Sequence, residues 1–289
     1  MKSKKSGFTM VELLTVLAII AILVALLVPA LALVRKITKE TQQRAQLNAI
    51  ELAMTAFKND YGDYPPSDWP DPEDGDRDYC GAQKLAEALL GRRLLGFNPE
   101  STWDATDYTL ETGYPDSLDP DNEADKAYLD ALKGPYLDVT TANAFKLGDD
   151  AGEENGLFDN PGYLEQNTFV ICDVFGVKKV TIGKNSYKAG TPILYYKADP
   201  SSKKFDPGLF DKQIYDAYDN AHLLSLGKLA DGQLHKLADD DYAYFYDPDY
   251  KIVDPKVTAM PWPYRPDSYI LISAGADGEY GTEDDICNF

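Results

Sequence analysis

An unbroken apolar run near the start constrains this chain more than anything else in it. From Phe8 to Val34 it reads FTMVELLTVLAIIAILVALLVPALALV, with one charge, Glu12, and one proline, Pro29. As a helix the run is about 40 Å long, enough to cross a hydrocarbon core of ~30 Å. Before it lies MKSKKSG, with Lys2, Lys4 and Lys5. Beyond Val34, 25 basic residues face 47 acidic ones. An apolar rod is therefore joined to a strongly acidic remainder.

Three kinds of segment share this outline. A plain transmembrane anchor is one. A secretory signal peptide is the second, with Ala30-Leu31-Ala32 as its small-x-small cleavage site. The third is a prepilin-type signal, in which a short basic leader ends at Gly7, the cut falls before Phe8, and the apolar helix stays on the mature protein. The residues favour the third. The Gly precedes the apolar run, and Glu12 lies inside it. A lone carboxylate there costs about 2.5–3.5 kcal/mol on insertion scales, and an ordinary anchor or signal peptide has no use for it.

With its basic leader, Gly-Phe junction and unbroken helix, the segment Gly7 to Leu14, GFTMVELL, resembles the type IV pilin and type II secretion pseudopilin family. The resemblance implies that a prepilin peptidase cuts after Gly7 and methylates the amine of Phe8. It implies that Glu12 meets the N-terminal amine of a neighbouring subunit in a filament. Two charges that are each costly in an apolar bundle then offset one another. Pro29 matches a helix-kinking proline of the family, and it also fits a helix break at the membrane surface. Lysines before the span and Arg35, Lys36 and Lys39 after it leave the charge count near a draw. The resemblance, not the count, puts the N-terminus in the cytoplasm.

Helical periodicity continues past the rod. Leu47, Ile50, Met54, Phe57 and Tyr61 form one apolar face, with Arg44, Glu51, Thr55 and Lys58 opposite. Gly62 and Pro65-Pro66 end the helix. One helix from about Phe8 to Asp60 is the simplest reading, its second half packing on a head. The run Ala56 to Pro65 is similar to the end of the long helix in G-type major pseudopilins. Residues 66–167 are rich in Asp, Gly and Pro and read as an acidic insertion in the head, with short helices expected at Ala82–Leu90 and Asp125–Leu132. Strands are expected at Thr168–Val174 and Val177–Ile182, as a hairpin around Phe175-Gly176. Others are expected at Pro192–Lys197, Tyr242–Tyr246 and Tyr269–Ser273, and a helix at Asp211–Leu226. Asp173 to Gly176 followed by Pro192 to Tyr196 is similar to the Asp-Pro-Trp-Gly…Tyr hairpin of the G-type subunits, with Val174 in place of the proline.

The last segment, Ser273 to Ile286, resembles the calcium loop that closes the major pseudopilin fold. Calcium takes six to eight oxygens at about 2.3–2.6 Å. Asp277 and the Glu283-Asp284-Asp285 cluster are the expected carboxylate ligands, with Gly278 and Gly281 turning the chain back. The spacing is not that of an EF-hand, and a solvated acidic tail is the plain alternative. Other acidic clusters (Asp74 to Asp78, Asp119 to Asp125, and Asp149 to Glu154) read as solvated surface.

A formal net charge of -20 argues against nucleic acid as a partner. Two His and three Cys are too few for a His-rich metal site or a disulfide scaffold. With Cys80, Cys172 and Cys287, at most one intramolecular disulfide can form. No metalloprotease, nucleophile-elbow or phosphate-loop motif is present, so no enzyme activity is expected. His222 reads as a packed or partly exposed helix residue.

The expected fold is α+β: a long N-terminal helix, transmembrane in its first half, on a C-terminal antiparallel β-sheet head, the lollipop of pilins. The expected divisions are a cleaved leader 1–7, a membrane and filament-core helix 8–34, its continuation 35–61, and a periplasmic head 62–289. The expected role is a structural pseudopilin of a type II secretion-like filament in the bacterial inner membrane. Its partners would be prepilin peptidase, other copies of itself, minor pseudopilins and the assembly platform. A pilin or minor pilin in adhesion, motility or DNA uptake is the nearest alternative. A secreted soluble calcium-binding protein is the alternative of another class.

Overall fold

The computed structural model describes residues 9–69, 79–103, 121–148, 152, 154–202, 213–238, 242–254 and 257–289. Five helices are present among them: α1 (Met10–Tyr61), α2 (Gly81–Leu90), α3 (Glu123–Ala131), α4 (Val139–Ala142) and α5 (Ala221–Ser225). The strands are β1 (Ala144–Gly148), β2 (Gly156–Phe158), β3 (Phe169–Ile171), β4 (Lys178–Ile182), β5 (Asn185–Ala189) and β6 (Leu194–Lys197), then β7 (Tyr246–Asp254), β8 (Val257–Pro263), β9 (Tyr269–Ser273) and β10 (Ile286–Cys287). The chain divides into two compact units, Met1–Gln42 and Gln43–Phe289.

The first unit is helix. Apolar side chains point outward on every side of it: Val11, Leu17, Ile20, Leu23 and Leu27 are all at least half exposed. Its most apolar stretch has a mean hydropathy of 3.1 and is long enough to cross a membrane. A helix apolar all round is stable only where something other than water surrounds it. Pro29 lies within the helix, which continues through it.

The second unit begins with the rest of α1 and holds the core. Leu47, Ile50, Met54 and Phe57 are buried, as the three-and-four spacing requires. The helix ends at Gly62, whose positive φ lets its N–H reach Lys58 O at 2.7 Å. Two buried glutamines fix the rotation of this segment. Gln46 Nε2 donates to Ala142 O at 3.0 Å and Cys172 O at 2.9 Å, and Gln43 Oε1 accepts the Val174 N–H at 2.9 Å. Glu51 pairs with Arg265 and accepts from Asn288 Nδ2 at 3.2 Å, tying the C-terminus to the same helix.

A central antiparallel sheet of order β10-β9-β6 divides this core in two. Tyr195, Tyr269 and Leu271 face α1 and α2. Leu194, Tyr196, Ile270 and Ile272 face the other way, against Cys80, Cys172 and Tyr280. The alternation is the period-two geometry of a strand, here buried on both faces. A second sheet, β2-β1-β3, pairs β1 parallel to β2 and antiparallel to β3. Two-stranded ribbons, β4-β5 and β7-β8, complete the head. The α+β class and the antiparallel character of the sheets are as expected, and so is the long helix.

Within the acidic segment 66–167, α2 is buried along its whole length, so this part of the segment is interior structure. Three local expectations are corrected. The expected hairpin around Phe175-Gly176 does not form: β3 pairs with β1, and β4 turns back at Gly183-Lys184 to pair with β5. The cause lies at Asp173, whose Oδ1 accepts the N–H groups of Phe175 and Thr191 at 3.0 and 3.2 Å. That steers the end of β3 onto the start of β6, where Cys172 and Pro192 form a β-bridge. Tyr242–Tyr246 is not a strand: Tyr242–Phe245 is a 3₁₀ turn, and β7 starts at Tyr246. In the expected helix Asp211–Leu226, only a 3₁₀ turn at Ala217–Asn220 and α5 are helical among the described residues.

Candidate functional site

Two places carry the sequence motifs. The first is the start of α1. Gly7 and Phe8 lie outside the described residues, which begin at Thr9. Thr9 is the N-cap residue of α1, and Glu12 sits three residues on. Glu12 Oε2 accepts the Thr9 N–H at 2.8 Å and the Thr9 hydroxyl at 2.7 Å, while the Glu12 N–H donates back to Thr9 Oγ1 at 3.2 Å. This is a reciprocal capping box. It holds the carboxylate at the positive end of the helix, one residue from where a cut before Phe8 would free an amine. Glu12 is exposed, so the carboxylate is open to a neighbour. The signal for Thr9 was present in the sequence as Thr-x-x-Glu ahead of an apolar run. The resemblance drew attention to Glu12 and left Thr9 unexamined.

The second place is the loop from Ala274 to Asp285, which joins β9 to β10. Ile286 pairs with Ser273, so the loop closes onto β9. Gly275, Gly278 and Gly281 all have positive φ. At Gly275 a Cβ would lie 2.3 Å from Asp284 O, so only glycine lets the two ends of the loop approach.

The four expected ligands divide into three environments. Asp284 Oδ2 accepts the N–H groups of Ala276 and Asp277 at 2.8 and 3.1 Å, and its Oδ1 accepts the Thr282 hydroxyl at 2.6 Å. Asp277 lies beside it, its Oδ1 taking the Glu279 N–H at 2.8 Å. Burial and the charge of Asp284 raise the pKa of Asp277. Burial works the same way on Asp284, but the hydrogen bonds from Thr282 and from the Asp277 and Ala276 backbone outweigh it and lower its pKa. Two adjacent carboxylates thus compete for one site of negative charge. Asp285 turns elsewhere, accepting from Tyr244 OH at 2.5 Å and Gly281 N–H at 2.8 Å, and burial pushes it up to about 6. Glu283 is exposed. Among the described residues, no three His, Cys, Asp or Glu side chains are grouped so that they could hold a metal ion. Of the other acidic clusters in the sequence, Asp74, Asp76, Asp78, Asp119, Asp149, Asp150 and Glu153 lie outside the described residues; Asp121, Glu123 and Glu154 are exposed as expected, whereas Asp125, in α3, is buried.

The remaining sequence candidates have structural surroundings. His222 is partly buried and lies against Trp69 and Tyr163. His235 is buried beside Tyr280, whose N–H it accepts at 3.2 Å. Cys80 and Cys172 are buried, Cys287 is partly buried, and all three are free thiols.

Residues 2–28 match the family model described as the prokaryotic N-terminal methylation motif. No curated protein and no solved structure matches the chain significantly. The motif covers the leader, the Gly7-Phe8 junction, Glu12 and most of the apolar run. It implies a type IV pilin-like protein, processed by a prepilin peptidase and built for filament assembly, and the apolar helix fits a membrane anchor.

Proposed function

We propose that the chain is a structural, non-enzymatic pseudopilin of a type II secretion-like filament, most similar in kind to the major G-type subunit. It would wait in the bacterial inner membrane with its head in the periplasm. After processing it would join other copies and minor pseudopilins on the assembly platform and help move proteins outward. The observation that carries this reading is an N-terminal methylation motif running into an apolar helix that the described residues leave uncovered. A cleaved signal peptide would discard that helix, whereas a filament subunit needs it. Intact mass and N-terminal sequencing of protein made beside a prepilin peptidase test the reading. The expected product begins at Phe8 with a methylated amine; a start at Leu33 would sink it. A pilin has the same N-terminus, so the secretion role has its own test. Deleting the gene should stop export of folded proteins, and loss of adhesion or motility with export intact would favour the pilin reading.

Calcium belongs to the same proposal. The competing pair Asp277 and Asp284 fits a bound cation, and these two residues would hold it, with Asp285 held by Tyr244 and Gly281 and Glu283 exposed. The ion would neutralise the pair and fasten the loop to β9. An ion that binds only the folded state stabilises it by about 2.7 kcal/mol at a hundred times its Kd. The full-length protein should therefore melt several degrees higher in calcium than in chelator, and Asp277→Ala should remove most of that difference. Equal melting in the two buffers would reduce the loop to a solvated acidic turn.

A further inference from the structure

The head carries two oppositely charged surfaces that nothing above uses. The first is a cleft of about 360 Å³ where the segment after α1 meets the end of β6 and the 3₁₀ turn at Ala217–Asn220. Among the described residues, Asp63, Asp68, Asp199, Asp216 and Asp219 line it, with Lys197 the one cation. Four of these carboxylates have local work. Asp63 pairs with Lys197 at 2.7 Å, and Asp68 with Lys84 at 3.6 Å. Asp199 accepts the Ser201 N–H at 2.9 Å, and Asp216 caps the turn through the Tyr218 N–H at 2.9 Å. Asp219 differs. It is 2% exposed; Oδ2 takes the Ser67 hydroxyl, while Oδ1 has no hydrogen-bond partner. A buried carboxylate oxygen without a partner is costly. Burial first, then the charges of Asp216 and Asp68, push Asp219 up to about 8.

The second surface is the β4-β5 ribbon. From Val174 to Ala198 the chain has five lysines and no acidic residue, within a protein of net charge -20. Lys178 is paired with Asp159. Lys179, Lys184 and Lys188 are exposed and make no ion pair with any described residue. Lys184 stands at the turn, next to the last pair, Ile182 with Asn185.

The two surfaces lie at opposite ends of one stretch of chain. The ribbon ends at Ala189, and the chain then runs through β6 to Lys197, which lines the cleft. At ~3.3 Å per residue that path is roughly 25 Å. We propose that the cleft receives the β4-β5 tip of a second copy of this chain, with the Lys184 ammonium at the exposed rim carboxylates Asp68 and Asp199, above the buried Asp219. An ammonium suits the site better than a divalent metal. It brings its own donors and needs only exposed carboxylates, whereas a metal needs several carboxylates converging on one point, and no such group is found here among the described residues. Because donor and acceptor surfaces differ, the contact is heterologous: each copy offers its tip to one neighbour and its cleft to another, so it propagates. This deepens the filament-subunit reading and rests on it. Charge complementarity of this kind sets register and partner more than raw affinity.

The test uses full-length, processed protein in membranes, with light and heavy isotope-labelled copies mixed. A zero-length carbodiimide joins lysine to carboxylate only in contact. Mass spectrometry should find Lys184 linked to Asp68 or Asp199 at the rim of the cleft, with one peptide light and the other heavy. Lys184→Glu should cut linked dimer roughly tenfold or more. Asp68→Lys should do the same; its side chain is 78% exposed but pairs with buried Lys84, so the variant's melting temperature is checked first, and Asp199→Lys serves as a second rim variant. Mixing Lys184→Glu with a rim variant should restore a dimer, now linked between the two substituted positions with amine and carboxylate exchanged. Filaments with no linkage between tip and cleft overturn this contact and leave the filament reading standing. Calcium shielding the rim carboxylates from the reagent, without any linkage, assigns the cleft to a metal and also overturns it. Absence of any oligomer from processed wild-type protein sinks both readings.

Discussion

Helix α1 has two halves that obey different solvents. Before Gln43 its apolar side chains are exposed on every side; from Gln43 to Tyr61 one face is buried and the other is wet. Backbone geometry is the same in both. Only the pattern differs: a continuous apolar run against a three-and-four spacing with Arg44, Glu51, Thr55 and Lys58 between. The first half is stabilised by something outside the chain, the second by the chain's own head. A substitution should accordingly be felt in different assays according to which half it falls in.

The largest effect expected from breaking this division is at Glu12. Glu12→Ala removes a carboxylate that costs about 2.5–3.5 kcal/mol in an apolar span, so insertion should be unchanged or improved. Filament yield should collapse, because a neighbour's amine loses its partner. Normal filaments from this variant, counted by electron microscopy, would contradict the assembly role. Next come paired truncations in the two halves. Met54→Ala opens a cavity in the head and should cost about 2–5 kcal/mol in its unfolding. Leu23→Ala should leave the head's melting unmoved and alter only membrane or filament behaviour. Equal effects on the head would erase the distinction.

A smaller effect is confined to one pH range and to the second unit. Burial pushes His235 down to about 4 from its ordinary 6.5. The unfolded chain then binds a proton that the folded head refuses. The contribution is full above pH 6.5 and is lost as pH falls from there toward 4. Asp219 and Asp285, pushed up by burial, slope the other way over this range, so the His235 contribution is read as the difference between wild-type and His235→Gln melts from pH 7 to 4. The smallest effect belongs to Thr9→Ala, which removes one half of the capping box. About 1 kcal/mol of local helix stability should be lost, visible as faster amide exchange in the first turn of α1 and nowhere in the head.

How far each part was readable follows from the range of the forces that made it. Helix α1 and β9 were legible because apolar spacing alone defines them, and Gly62 and Gly91 mark where helices stop. The β4-β5 ribbon was misplaced because Phe175-Gly176 and Gly183-Lys184 look equally like turns. The choice between them is made by Asp173, which reaches Thr191, eighteen residues away. The Tyr and Phe alternation at 242–246 suggested a strand, yet a 3₁₀ turn forms there. At the candidate sites, Glu12 and the pair Asp277 and Asp284 could be named from local sequence. The partition of the acidic loop could not, since Tyr244, which claims Asp285, comes from forty-one residues earlier. Asp219 and its cleft were invisible for the same reason: Ser67 meets Asp219 across 152 residues.

Gln43 and Gln46 bear on how a subunit handles force. Their amides bond across to Val174, Ala142 and Cys172, so a pull along the α1 axis loads those bonds sideways and together. Bonds strained in parallel share a load, whereas a zipper gives way one bond at a time. The apolar residues that follow slide easily by comparison, because dispersion has no preferred direction. The amides thus act as shear pins between the second half of α1 and two neighbouring segments, the end of α4 and the turn after β3. In an assembled filament, an axial load on that half of the helix would be passed to the head through them.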